Sequence, residues 1–89
     1  MRFTWGEAKR KRNLTDHSLD FVDAERVFNG PTFTYEDDRF RYEEQRFVTL
    51  GLFKGIPVSI VHTETKGRIH VISFRKATKH ETTILFENL

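Results

Sequence analysis

Three residues near the ends of the last two apolar runs carry the groups that phosphodiester chemistry needs: His62, Arg75 and Lys76. Imidazole takes up and releases protons near neutral pH, and the planar guanidinium of arginine binds phosphate oxygens in a bidentate manner. Cleavage of an RNA phosphodiester without a metal ion needs a base for the 2′-hydroxyl, an acid for the 5′-oxygen and cations for the charge on phosphorus. We therefore take these three residues as candidate catalytic residues.

A structural role is the alternative for the same side chains. His62 would then be a satisfied, half-buried histidine, and Arg75 would pair with Glu64 or Glu81. From composition alone this alternative is favoured, because ion pairs commonly account for such groups. The catalytic interpretation therefore depends on His62 and Arg75 lying together on one open surface.

The sequence lacks the residues that most other catalytic mechanisms need. The chain has no cysteine, which excludes disulfides, thiolate metal sites and a cysteine nucleophile. The serines lie outside any Gly-x-Ser-x-Gly elbow, and no glycine-rich phosphate loop is present. The four histidines do not have the spacing of known metal sites, and the carboxylates of residues 36–44 fall in a charged loop. We expect neither a metal nor another cofactor.

Positive charge is concentrated in two segments, although the formal net charge is only +2. The first is the run at residues 9–12, and the second is residues 66–80, which contain no acidic residue. Acidic residues collect at 16–25 and 36–44. This separation favours a polyanion-binding surface, although a basic run taken alone is also typical of a solvated face. The expected RNA-binding residues are Lys9, Arg10, Arg46, Arg68 and Lys79.

Length and composition predict one domain spanning residues 1–89. Hydrophobic residues make up 37% of the chain and charged residues 31%, which is typical of a folded domain rather than a disordered one. No apolar run is long enough to cross a membrane, and the N-terminus does not resemble a secretory signal. We expect a cytoplasmic protein that does not contact a membrane.

Three helices are predicted, two of them N-terminal. Thr4 and Glu7 have the spacing of a capping box, which predicts a helix that carries the basic run and ends near residues 16–18. A second helix is predicted from about Asp20, ending at residues 29–31. Its apolar face contains Phe21, Ala24, Val27 and Phe28. Thr78 and Glu81 repeat the capping-box spacing and predict a C-terminal helix.

About four antiparallel strands are predicted between these helices, at residues 32–35, 46–53, 57–63 and 68–76, with tight hairpins between the last three. Residues 3–5 form a possible edge strand, and residues 36–45 are expected to be a mobile loop. Period-two alternation predicts a core face with Val48, Leu50, Leu52, Ser59, Val61, His70, Ile72, Phe74 and Lys76. The opposite face, with His62 and Arg75, is expected to be a partly exposed working surface.

Two sequence patterns resemble the BrnT family of type II toxin–antitoxin systems. The first is Phe3-x-Trp5-x₃-Lys9-x₃-Asn13-x₃-His17-x₃-Phe21-x₂-Ala24-x₂-Val27-Phe28. The second runs from Arg46-Phe47-Val48-x-Leu50-Gly51 through Val61-His62-Thr63-Glu64 to Ile72-Ser73-x-Arg75-Lys76-Ala77-Thr78-x₂-Glu81. Together they cover nearly the whole chain. One departure is Ser18, where the family usually has glycine.

The resemblance implies a RelE-like α+β fold: two N-terminal helices packed on an antiparallel sheet of about four strands, with a C-terminal helix. It also implies an mRNA-cleaving toxin that arrests growth and is neutralised by a BrnA-like ribbon–helix–helix antitoxin, through which alone it would meet an operator DNA. Catalytic roles transfer poorly across such folds. We therefore take Arg75 and Lys76 as phosphate ligands, His62 as the acid–base residue and Arg46 as a further cation.

Two other functions remain open at this point. One is a non-catalytic inhibitor of a host machine, in the manner of a gyrase poison, since related folds also include such proteins. The other is a plain RNA-binding module, which would bind RNA in a strongly salt-dependent manner without cleaving it.

Overall fold

Over the residues that the structure describes, the chain forms an α+β fold with a five-stranded mixed sheet and three α-helices. A computed structural model describes residues 1–39, 41 and 43–89. The elements follow in the order β1 (Arg2–Thr4), α1 (Glu7–His17), a 3-10 turn (Phe21–Asp23), α2 (Ala24–Phe28), β2 (Phe33–Glu36), β3 (Phe47–Phe53), β4 (Ile56–Thr65), β5 (Arg68–Lys76) and α3 (Lys79–Glu87).

The strands are arranged in the order β1-β5-β4-β3-β2. The four strands from β2 to β5 pair antiparallel, as predicted. The prediction of a wholly antiparallel sheet of about four strands is wrong in one respect, because β1 adds a fifth strand that runs parallel to β5, with Arg2 opposite Arg68 and Thr4 opposite His70. The edge strand predicted at residues 3–5 is thus present as β1, one residue earlier. Its pairing joins residues far apart in sequence, so no local pattern gives its partner or its direction.

Both predicted hairpins are confirmed. Lys54 and Gly55 join β3 to β4 with φ values of 52° and 79°, the backbone that two-residue hairpin turns require. Phe53 lies opposite Ile56. Gly67, with φ 72°, turns the chain from β4 into β5.

A β-bulge in β5 changes which residues share a face. Val61 lies opposite Ser73, but the next residue, His62, lies opposite Val71, so Ile72 is an extra residue in β5. An extra residue breaks the period-two alternation of a strand. The predicted faces are therefore wrong beyond this point: Phe74 and Lys76 lie on the face opposite to the one predicted, and so does Arg75.

Hydrophobic clusters cover both faces of the sheet, and the larger one lies where the sequence predicted a working surface. On this face, called the α2 face here, α2 contacts β3 and the 3-10 turn contacts β5. The cluster contains Phe21, Ala24, Val27, Val58, Ile60, Ile69, Val71 and Phe74. On the other, the α3 face, Leu85 packs on Val48 and Leu50. The predicted positions of core and working surface are therefore reversed.

Helix termini agree with the prediction at α3 but not at α1. Thr78 and Glu81 form the expected capping box. The predicted box at α1 is wrong, because Gly6 is the N-cap residue and makes no side-chain bond, while Thr4 belongs to β1. Asp20 caps the 3-10 turn that precedes a short α2, where one continuous helix was predicted. None of the helices described is long and apolar enough to cross a membrane.

The segment between β2 and β3 begins with an anchored turn. Asp37 is buried, its N–H donates to the carbonyl of Arg46 at 2.8 Å, and its carboxylate accepts from Arg39 at 2.8 Å. The predicted mobile loop, residues 36–45, includes Phe40 and Tyr42, which lie outside the described residues. Its mobility stays a prediction.

Candidate functional site

His62 lies in the interior of the protein, with 0% of its surface exposed. Its Nε2 is 2.7 Å from Oγ1 of Thr49, and that hydroxyl is 2.7 Å from Oγ1 of Thr34. The ring of Phe28 meets the imidazole edge-on and that of Phe47 stacks with it, with centroids 5.2 and 6.0 Å away. Aromatic walls and a hydroxyl partner therefore fix this imidazole inside the fold.

Burial lowers the pKa of His62 from 6.5 to about 4, because a desolvated imidazole is disfavoured in its charged form. Its Nδ1 has no hydrogen-bond partner within the described chain, and Glu64 lies 3.6 Å away, beyond a hydrogen bond. The effect of burial outweighs the attraction of this half-exposed carboxylate. His62 is therefore neutral near pH 7 and is not accessible to RNA in this structure.

Arg75 lies on the α3 face, opposite to His62, because the bulge reverses its side. Its guanidinium donates two hydrogen bonds to the Glu81 carboxylate, at 2.8 and 2.9 Å. Burial alone would raise the pKa of Glu81, but hydrogen bonds from Arg75 and Thr78, together with the charge of Arg75, lower it below its ordinary value. The pairing with Glu81 that the structural alternative predicted is confirmed. Lys76 is exposed and lies opposite Val58, on the α2 face.

The prediction that His62 and Arg75 share one surface is therefore wrong. The cause of the error is the bulge at Ile72, together with the packing of the second helical segment over His62. The catalytic roles of His62, Arg75 and Lys76 stay predictions. In the structure, His62 and Arg75 lie on opposite faces of the sheet.

Three of the five predicted RNA-binding residues come together in one groove. The basic groove, as we name it, is a cavity of about 400 Å³ lined by Lys9, Glu44, Arg46, Thr63, Arg68, His70 and Ile72. Arg10 does not line it, because its guanidinium is bonded to Asp20 at 2.8 Å and to Glu7 at 3.1 Å. Lys79 is exposed at the start of α3 and is also outside the lining.

Asn13 positions Lys9 at this groove. Beyond the end of β1, the Asn13 side chain takes the place of a neighbouring strand: its Oδ1 accepts from the Phe74 N–H at 3.1 Å and its Nδ2 donates to the Phe74 carbonyl at 2.7 Å. This clamps α1 along the edge of β5. Lys9 lies one helical turn earlier on the same stripe and therefore faces the groove. Asn13 therefore has a structural role, joining α1 to β5.

His70 is the functional candidate that sequence reasoning missed. Alternation did place His70 on the same face as Ile72, which is right, but that face was assigned to the core. Its Nδ1 lies 2.9 Å from Oγ1 of Thr4 on β1, and its ring lines the basic groove. The spacing of Arg68 and His70 could have indicated this candidate, since residues two apart on a strand share a face and Arg68 is a predicted RNA-binding residue.

The basic groove combines an imidazole with three cationic side chains and one carboxylate. Arg46 is bonded to Glu44 at 3.2 Å, and both residues line the groove. Cations of this kind bind phosphate oxygens, and histidine is the side chain that ordinarily transfers protons near neutral pH. Among the residues described, no three His, Cys, Asp or Glu side chains are grouped to hold a metal ion.

Comparison with known proteins gives the family. A family model described as the ribonuclease toxin BrnT of type II toxin–antitoxin systems matches residues 5–81. The chain belongs to the BrnT family. Membership indicates a ribonuclease toxin with a protein antitoxin as partner and RNA as target. All four groove residues that carry or transfer positive charge, Lys9, Arg46, Arg68 and His70, fall inside the matched range. A search among curated proteins found no match to this BrnT chain.

Proposed function

We propose that this BrnT protein is a metal-independent endoribonuclease that cleaves mRNA in the basic groove and thereby arrests growth. The observation that carries the proposal is the convergence of Lys9, Arg46, Arg68 and His70 on one open cavity. Three cations and an imidazole are the groups that metal-free cleavage requires. The family match supports ribonuclease activity independently of this geometry.

His70 is the acid–base residue in this proposal. Its imidazole takes the proton of the 2′-hydroxyl as the 2′-oxygen attacks phosphorus. The bond from phosphorus to the 5′-oxygen breaks, and the leaving oxygen takes a proton from the imidazolium or from water. The products are a 2′,3′-cyclic phosphate and a 5′-hydroxyl. Lys9, Arg46 and Arg68 stabilise the charge that develops on the phosphoryl oxygens.

The antitoxin is proposed to be a BrnA-like ribbon–helix–helix protein, and any operator contact is made through it. A RelE-like placement of the fold is likewise part of the proposal; it is supported by the order of two N-terminal helical segments, consecutive antiparallel strands and a C-terminal helix. Co-expression of a short ribbon–helix–helix protein encoded next to the toxin gene is expected to restore growth.

The direct test is cleavage of RNA by the purified chain, freed of any partner, in the presence of a metal chelator. Wild-type protein is expected to produce fragments with 2′,3′-cyclic phosphate ends, detected by gel electrophoresis and mass spectrometry. His70→Gln is expected to lose at least about a hundredfold in rate, the usual scale of acid–base catalysis.

His80→Gln is the matched control, because His80 is exposed on α3 and does not line the groove; it is expected to cleave at the wild-type rate. Intact RNA with wild-type protein, with and without ribosomes, contradicts the proposal. RNA that is bound but not cut identifies a binding module instead. DNA damage signalling with intact mRNA in expressing cells identifies an inhibitor of the gyrase-poison type.

A further inference from the structure

We propose that Thr4 is a positioning residue for His70: its hydroxyl fixes the ring so that Nε2 faces the RNA. The inference rests on the proposed function, since it assigns a partner to the acid–base residue of the basic groove. Thr4 does not line that groove. It acts through His70 and does not contact substrate.

The geometry that carries the inference is one hydrogen bond between two strands. Oγ1 of Thr4 lies 2.9 Å from Nδ1 of His70, and both side chains are partly buried. The parallel pairing of β1 with β5 sets Thr4 directly opposite His70, so the backbone fixes the distance. With Nδ1 engaged by Thr4 and the ring lining the groove, Nε2 is the nitrogen left for substrate.

A hydroxyl suits this position because it can accept or donate. When it accepts from Nδ1–H, the lone pair of the neutral ring is on Nε2, which is the form needed to take the 2′-hydroxyl proton. After proton transfer both ring nitrogens carry hydrogen, and the hydroxyl still accepts from Nδ1. A partner that orients the second nitrogen of a histidine sets which nitrogen reacts.

A purely structural role for Thr4 predicts something different. In that case the side chain would only hold β1 against β5, and its replacement would change stability but leave the ring of His70 unchanged. Valine has the same branched shape as threonine and the same preference for strands. Thr4→Val therefore removes the hydroxyl with little disturbance of the strand, while Thr4→Ser keeps the hydroxyl and is the matched control.

The first measurement needs no RNA. ¹⁵N NMR of the His70 ring in the full chain, at a pH where the ring is neutral, reports which nitrogen carries hydrogen. Wild type and Thr4→Ser are expected to show hydrogen mainly on Nδ1, and Thr4→Val is expected to shift the population toward Nε2–H. Identical ring signals in all three proteins would overturn the inference whether or not the chain cleaves RNA.

The second measurement is steady-state cleavage. Thr4→Val is expected to lower kcat about tenfold, the scale of one orienting hydrogen bond, with KM changed less than about twofold, since the cations that bind RNA are untouched. Thr4→Ser is expected to restore the rate. If wild type cleaves and Thr4→Val cleaves equally well, the inference fails and the proposed function stands. If wild type does not cleave while the tautomer shift is observed, the proposed function fails and the positioning contact stands.

Discussion

Ser18 holds a backbone conformation that suits glycine. It ends α1 in the left-handed region, with φ 58°, where a β-carbon costs free energy and glycine is the usual residue. Ser18→Gly is therefore expected to raise the free energy of unfolding by about 1 kcal/mol, measured by urea denaturation.

Thr15→Gly is the matched control, because Thr15 is exposed inside the same helix. Glycine in a helix interior is expected to lower stability by a few tenths to about 1 kcal/mol relative to ordinary residues. A loss of stability in both variants contradicts the assignment of strain to Ser18.

His62 makes the stability of the fold depend on pH. Its pKa is lowered from 6.5 to about 4 by burial, so between these values the unfolded chain binds the proton and the folded chain does not. The free energy of unfolding therefore rises with pH in this window. As the pH falls from 6.5 toward 4, we expect a loss of up to about 3 kcal/mol, measured by denaturation at a series of pH values.

His62→Gln is expected to remove this pH dependence, and His80→Gln, which changes an exposed histidine, is expected to keep it. The paired carboxylates, such as Asp20 and Glu81, have lowered pKa values. They therefore lose their contribution only as the pH falls through those lowered values, at the acid end of the window or below it. A flat stability of wild type between pH 6.5 and 5 would show that His62 is not buried as described.

At the scale of elements, Gly51 is the point where β3 passes under α2. A β-carbon at this residue would lie 2.6 Å from Cγ1 of Val27 and 3.2 Å from Cγ2 of Thr32. Val27 is fully buried, and a valine side chain has little rotamer freedom in a helix. Gly51→Ala is therefore expected to lower the free energy of unfolding by about 1–3 kcal/mol, measured by thermal or urea denaturation.

Gly30→Ala is the comparison variant, because a β-carbon there would meet only the carbonyl oxygen of Val27, at an ordinary contact distance of 3.7 Å; it is expected to change stability by only a few tenths of a kcal/mol, as for an ordinary surface substitution. The double variant Val27→Ala, Gly51→Ala is expected to be more stable than the sum of the single changes predicts, since the two residues share one space. Strict additivity contradicts the proposed clash.

Elements set by neighbouring residues could be predicted from the sequence, and elements set by distant contacts could not. The hairpin at Lys54–Gly55 and the capping box of Thr78 and Glu81 depend on residues within a few positions of one another, and both are confirmed. The capping spacing of Thr4 and Glu7 is equally local, but Thr4 pairs instead with His70 of β5, which lies sixty-six residues away in the sequence. Tertiary pairing there overrides the local preference.

The candidate site was predictable in its charges but not in its histidine. Lys9, Arg46 and Arg68 were identified from charge distribution, and the structure brings them together. Alternation carried through a strand that contains an extra residue predicts Arg75 on the face of His62, and the face that holds His70 was assigned to the core. A bulge leaves no reliable mark in a single sequence, and a one-residue shift exchanges the two faces.

At the scale of the whole molecule, the basic groove is expected to dominate the salt dependence of RNA binding. With His70→Gln as a non-cleaving background, removal of two groove cations by Lys9→Gln and Arg68→Gln is expected to weaken binding. It is also expected to reduce the slope of log K against log salt by about 0.7 for each phosphate that the protein no longer neutralises. Fluorescence anisotropy with single-stranded RNA over a salt series measures both.

Arg26→Gln and Lys54→Gln form the charge-matched control. Both cations lie over the ring of Phe53, 5.5 and 5.3 Å from its centroid, away from the groove lining. The same removal of two charges is expected to leave the slope unchanged. Equal slopes in the two double variants indicate that net charge, and not the groove, governs binding.

The extra residue at Ile72 lets one strand serve two purposes. In a regular strand, odd and even positions never mix, so Arg68 and His70 would point to one side and Arg75 to the other. Because the bulge shifts this alternation by one residue between His70 and Arg75, the side chains of Arg68, His70 and Arg75 lie on the same side of the sheet. Phe74 then lies on the other side, where it is buried. Deletion of Ile72 would make Val71 and Ser73 consecutive residues of a regular strand, and it would keep Phe74 inside and Arg75 on the side of His70. What such a shortened β5 would give up is Ile72 itself, which lines the basic groove.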